Sequence, residues 1–99
     1  MKLVVLPQAE DSLRLSLRIL SAFYSKRYLL GLERLIRQRL RWLAKNPGAG
    51  QFEPELEWAN LGHRRFVVRH FKIVYRIDGD TIVVNDIFDA RRDPKEMKR

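Results

Sequence analysis

The residues of this chain best suited to chemistry are cations on strand-like segments. Alternation places Arg65 and Arg69 on one side of the segment Arg65–Val68 and its end, with Val67 between them. In the next segment Lys72 and Arg76 share the side opposite Phe71, Ile73, Tyr75 and Ile77, which are expected in the core. Arg91 and Arg92 follow the last strand-like run. Cations gathered in this way can hold a phosphodiester and stabilise the charge that develops as it is cleaved, and Arg65, Lys72 and Arg91 are the candidates for that role. The same pattern also describes the solvated face of a sheet whose other face meets helices. Cations alone leave a general base unnamed.

Other reactive constellations are sparse. With no cysteine there is no disulfide, no Cys-ligated zinc and no thiol nucleophile. Gly48, Gly50, Gly62 and Gly79 lie in connections and Gly31 stands alone in a helical stretch, so no glycine-rich phosphate loop is present. Ser12, Ser16, Ser21 and Ser25 fall within or at the end of the first helical segment, where such spacing reads as a polar face rather than a nucleophile. His63 and His70 are seven residues apart and match no compact metal-site spacing, so no metal or other cofactor is expected. Asp86 and Asp89 read as counter-charges to Arg91 and Arg92.

The elements that must position these residues follow from periodicity. Lys2–Leu6 is a short β-rich run ended by Pro7, which suits a first helical turn. From Ala9 to Tyr24 the chain is ambiguous. Leu13 to Ile19 alternates as a strand would, yet Leu13, Leu17, Leu20 and Tyr24 recur at helical spacing. Helix formers, first-turn acids at Glu10 and Asp11, and the segment's length favour a helix. Leu29, Leu32, Ile36, Leu40 and Leu43 define a second helix, which Asn46-Pro47-Gly48 stops. The break near Ser25-Lys26-Arg27 is short, so the two form an αα-hairpin. Asn46 to Gly62 reads as a polar connection. Arg65–Val68, Phe71–Ile77 and Thr81–Phe88 then read as strands, with a hairpin turn at Asp78-Gly79 and a second tight turn or bulge at His70. The expected fold is α+β, in the order β-α-α-β-β-β: an antiparallel sheet with the N-terminal αα-hairpin packed on one face, as a single domain over residues 1–99.

Composition narrows the setting. The 99 residues carry 20 basic and 12 acidic side chains, a formal charge of +8, and 45% hydrophobic content suits one folded domain. Residues 1–50 hold ten Lys/Arg against three acids, a net of +7, and residues 51–99 hold ten against nine, a net of +1. This imbalance points to an anionic partner for one face, although basic surfaces also serve solubility alone. No apolar run approaches the roughly 18 residues of a membrane span. Nor does the N-terminus resemble a signal peptide, so the expected location is cytoplasmic.

Taken together, these segments resemble the ParE/RelE superfamily, the toxins of type II toxin–antitoxin pairs. The resemblance is carried by Asn46-Pro47-Gly48-Ala49-Gly50, by Gly62-His63-Arg64-Arg65-Phe66, by the run from His70 to Ile82, and by Ile87-Phe88-Asp89-Ala90-Arg91-Arg92-Asp93-Pro94, similar to the family's terminal Arg-Arg-Asp box. It implies a toxin of the plasmid-stabilisation type with the β-α-α-β-β-β fold. Two activities occur on that fold. RelE-like members cut messenger RNA on the ribosome, whereas ParE-like members poison DNA gyrase and are not enzymes. By resemblance Arg65, Lys72 and Arg91 fall at three basic catalytic positions of the RelE-like branch. A second lysine of that branch is Val67 here, and its C-terminal tyrosine has no counterpart. The long helical hairpin, the Pro-Gly connection and the Arg-Arg-Asp-Pro ending favour ParE, while Lys72 stands where ParE-like chains often carry an apolar residue.

The resemblance further implies an acidic ParD/RelB-like antitoxin, with which the toxin forms a hetero-oligomer. The Tyr24–Leu43 stretch and Trp58 are the expected contributors to that interface, with Tyr24, Tyr28, Arg34, Arg37 and Arg41 on the hairpin. Toxic activity, whether on gyrase or on the ribosome and its messenger RNA, is expected around Arg65, Lys72, Arg76, Arg91 and Arg92. A degenerate domain that keeps only binding contacts is the third alternative.

Overall fold

The computed structural model describes residues 1–91. Strand β1 (Lys2–Val5) leads into helix α1 (Pro7–Leu20) and helix α2 (Lys26–Lys45). The connection that follows contains a single 3₁₀ turn at Pro47–Ala49, the two-residue strand β2 (Gln51–Phe52) and a second 3₁₀ segment at Pro54–Ala59. Strands β3 (Arg64–Val68), β4 (Phe71–Asp78) and β5 (Thr81–Asp89) complete a sheet of order β1-β5-β4-β3-β2.

The α+β class, the element order and the helical hairpin are as the sequence predicts, with two corrections to the sheet. It is mixed rather than antiparallel, because β1 pairs parallel with β5, and it gains β2, antiparallel to β3. β5 therefore lies inside the sheet between β1 and β4, which explains why Ile82 to Phe88 is almost continuously buried.

Pro7 opens α1 and Glu10 lies in its first turn, so the ambiguous stretch from Leu13 to Ile19 is helical. α1 ends at Leu20, a turn earlier than the leucine spacing suggests. Ser25 then caps α2 by accepting a hydrogen bond from the Tyr28 amide at 3.1 Å. Ala9, Leu13 and Leu20 of α1 and Leu29, Leu32, Ile36, Leu40 and Leu43 of α2 form the core with Phe71, Ile73, Tyr75, Ile82, Val84 and Ile87 of the sheet. Ser12 and Ser16, read as a polar face, are buried instead, and the Ser16 hydroxyl accepts a hydrogen bond from the Asp89 amide at 3.3 Å. With Ala9 they form a row of small residues that lets α1 lie close to β5. Ile77, expected in the core, lies near the end of β4 and stays partly exposed; the turn that follows is Gly79-Asp80, one residue later than Asp78-Gly79, because Asp78 still pairs with Thr81.

Val84 and Ile87 are three residues apart and would point to opposite faces of a regular strand. Both reach the core because the pairing slips: Val74 opposes Asp86 and Tyr75 opposes Val84, leaving Asn85 as an extra residue in β5. The bulge resets the phase, so that Asp86 and Phe88 face away from the helices.

The connection is less polar in its packing than in its composition. Leu56 is buried against Val74 and Phe88 on the sheet face opposite the helices. Its path is tied down at Tyr75, whose buried hydroxyl accepts from the Gly50 amide at 2.9 Å and donates to the Pro47 carbonyl at 2.8 Å. A Cβ at Gly50 would lie 2.6 Å from both the Arg65 carbonyl and the Tyr75 hydroxyl, so only glycine fits there.

Candidate functional site

Cross-strand pairing fixes where the candidate cations go. Arg65 opposes Val74 and Val67 opposes Lys72, so Arg65 and Lys72 share the face away from the helices. There they meet Glu53, which the connection carries over the sheet and whose side chain has no exposure to solvent. Lys72 Nζ lies 2.6 Å from Glu53 Oε2 and Arg65 Nη1 lies 3.8 Å from Oε1. Beside them is an open cleft of about 450 Å3, lined by Phe52, Glu53, Leu56, His63 and Arg65 among others. Arg64 lies over the exposed ring of Phe52 at 4.2 Å. Nothing in the sequence marks Glu53 as special, since Glu55 and Glu57 follow it at the same spacing and remain exposed. Only the crossing of the connection over the sheet buries it.

Arg91 is on a different surface. Phe71 pairs with Asp89 on the helix side, one residue out of phase with Lys72, and Arg91 folds back onto the Asp89 carboxylate. Its Nε donates to Oδ1 at 2.9 Å and to Oδ2 at 3.1 Å, while Nη2 also donates to Oδ2. Hydrogen bonding from Arg91 holds the Asp89 carboxyl below the usual aspartate range, against the opposing effect of its partial burial. The same pairing pushes the Arg91 guanidinium up, with Tyr24 as a further partner. The structure thus separates the three cations that the sequence groups: Arg65 and Lys72 face the connection, and Arg91 lies at the rim beside α1 and α2. Arg76 pairs with Asp78 at 3.3 Å. Arg92 and the rest of the terminal box lie outside the described residues.

The hairpin residues also divide. Tyr24 and Tyr28 stack on one another with ring centroids 4.8 Å apart. Arg37 spans the helices as a bidentate partner of Glu10, at 2.6 and 2.8 Å, and also reaches Glu33 at 3.2 Å. Arg34 and Arg41 are exposed. Trp58 is exposed as well, and its indole N–H donates to the Glu55 carbonyl at 3.0 Å. Leu15, Ile19 and Phe23 recur along one side of α1 and its end and are exposed, as is Leu30 of α2, although the core periodicity does not single them out. The signal was present, because the alternation from Leu13 to Ile19 is the sum of an inner and an outer apolar stripe on one helix.

Among the described residues no group of His, Asp or Glu is placed to hold a metal ion, and no helix is long and apolar enough to cross a membrane.

No curated protein matches the chain by sequence. In fold it is similar to a chain of the chromosomal ParDE TA system from P. aeruginosa, with a TM-score of 0.72, 20% identity, and 90% of this chain and 95% of that chain covered. The family described as the ParE toxin of the type II toxin–antitoxin system, parDE, matches residues 9–94, so that the strand, the long hairpin and the three-stranded meander all fall within or beside one match. The chain belongs to the ParE toxin family of type II toxin–antitoxin systems.

Proposed function

We propose that this toxin acts on DNA gyrase without cleaving nucleic acid itself, and that an acidic antitoxin neutralises it in a hetero-oligomer. The observation that carries the first part is the state of its cations. A nuclease of this fold would present Arg65, Lys72 and Arg91 to one phosphate, but here two of them face the buried Glu53 carboxylate and the third lies on a different surface, beside Asp89. A carboxylate already seated between Arg65 and Lys72 competes with an incoming phosphate for both, and Arg91 approaches from another surface. Membership of the ParE family supports the same reading.

For the antitoxin, Leu15, Ile19 and Phe23 are exposed on the helix and turn that also expose Arg14 and Arg18, and Leu30 is exposed beside Lys26, Arg27 and Arg34. An amphipathic acidic segment matches that combination, with apolar anchors on the stripe and carboxylates towards the surrounding cations. Exposed Arg41 and Trp58 extend the available surface, whereas Arg37 would contribute through its clamp with Glu10.

A supercoiling assay with purified gyrase tests the proposal. The folded protein is expected to inhibit supercoiling and to trap broken DNA. Unaffected gyrase, together with codon-spaced cuts in messenger RNA on translating ribosomes, would overturn it in favour of the nuclease.

A further inference from the structure

At one end of the molecule the α1–α2 turn meets the β3–β4 turn, and a shallow notch there is lined by Tyr24, Tyr28, Arg69, His70 and Arg91. We propose that this rim binds a short single-stranded nucleic-acid segment, with bases stacked on the tyrosines and phosphates held by Arg69, His70 and Arg91. The proposal goes beyond the gyrase reading and stands whichever target the toxin has.

Three observations meet at this rim. The tyrosine rings stack on one another with an interplanar angle of 22°, and the two residues remain 43% and 44% exposed, so the stacked pair stays open to solvent. Such a platform takes unpaired bases of any identity, which a peptide carboxylate would not need.

The second observation is the backbone of Arg69. Among the described residues, the non-glycine positions with positive φ are Asn60 and Arg69, at 54° and 57°. Asparagine tolerates that conformation; arginine does not gain from it. Two-residue hairpin loops ordinarily place glycine, asparagine or aspartate there. An arginine at this position gives up local stability, and its exposed side chain supplies a cation at the notch in return.

Third, the anchoring of Arg91 is suited to the role. Asp89 engages its Nε and Nη2, which fixes the direction of the guanidinium while leaving Nη1 unassigned to that pair. His70 lines the same notch. Two guanidiniums, Arg69 and Arg91, thus stand at the rim beside the Asp89 carboxylate.

The test is fluorescence anisotropy of a labelled oligothymidylate of about eight nucleotides, titrated with the full chain. Arg69→Gly suits the positive φ, so the variant is expected to fold at least as well as the parent, checked by its melting temperature. It should nevertheless lose about tenfold in affinity, as should the double variant Tyr24→Leu/Tyr28→Leu. Arg41→Ala, which removes the same charge more than three helical turns further along α2, should change affinity less than about twofold. The proposal is overturned if Arg41→Ala weakens binding as much as Arg69→Gly, because net charge alone would then account for it. It is equally overturned if an abasic oligomer binds as tightly as oligothymidylate, since the tyrosines would then contribute nothing and an acidic protein segment would fit the rim as well.

Discussion

A carboxylate removed from solvent must be matched by charge, and Glu53 meets this requirement with Lys72 at 2.6 Å and Arg65 at 3.8 Å. The consequence for stability is asymmetric. Glu53→Gln leaves Lys72, itself only 14% exposed, without its countercharge, and is expected to lower unfolding free energy by about 3 kcal/mol. The double variant Glu53→Gln/Lys72→Met should regain much of that loss, because the stranded ammonium is gone and an apolar stem replaces it. Urea denaturation of the single and double variants measures both, and an unchanged midpoint for Glu53→Gln would show that the pair contributes nothing. At this scale the sequence shows which strands carry Arg65 and Lys72, but not their partners. Arg65 and Lys72 could be read from alternation, whereas Glu53 arrives from a connection whose path no local pattern specifies.

At the scale of elements, the helical hairpin is held by apolar stripes and by one polar clamp. Arg37 bridges Glu10 of α1 and Glu33 of α2, and hydrogen bonding from Arg37 holds the Glu10 carboxyl below its usual range. A carboxyl lowered in the folded state stabilises the protein above its unfolded value, near pH 4.3, and that contribution is lost as pH falls through the lower folded value. Asp89, lowered in the same way by Arg91, adds to the trend. Glu10→Gln should therefore be less stable than the parent at pH 7, with the difference shrinking towards zero as the pH falls through the lowered folded value. Melting curves across that range report it; a difference that stays constant with pH would remove Glu10 as the responsible group. The elements themselves were largely legible. The second helix, the β4–β5 hairpin (to within one residue) and the Arg69-His70 turn follow from spacing and turn chemistry. The first helix was obscured by its two-sided apolar character, and the Asn85 bulge has no local signal because it serves the face assignment of Val84 and Ile87.

Across the whole molecule, the two faces of the sheet have different coverings. The helices bury one face, while the connection crosses the other with Leu56 and Glu53. The outer side of the hairpin then remains as a basic surface with an apolar stripe, Leu15, Ile19 and Phe23. Because Ile19 and Phe23 are 51% and 77% exposed, charging them should barely affect folding. The variant Ile19→Glu/Phe23→Glu is expected to melt close to the parent temperature. It should also lose affinity for the cognate antitoxin by more than tenfold, about 1.4 kcal/mol, as measured by titration calorimetry. Retained affinity would move the antitoxin to another surface.

Local sequence patterns set the chemistry available to this protein: cations without a thiol, an αα-hairpin with a basic surface, and strands joined by tight turns. These are local properties, set by side-chain type, helical or strand period and turn residues. Tertiary structure alone decided the parallel pairing of β1 with β5, the burial of Glu53 between Arg65 and Lys72, and the separation of Arg91 from them. Each depends on contacts between segments far apart in the chain. Their energies come from burial and charge pairing in the assembled fold, and no short window of sequence contains both partners.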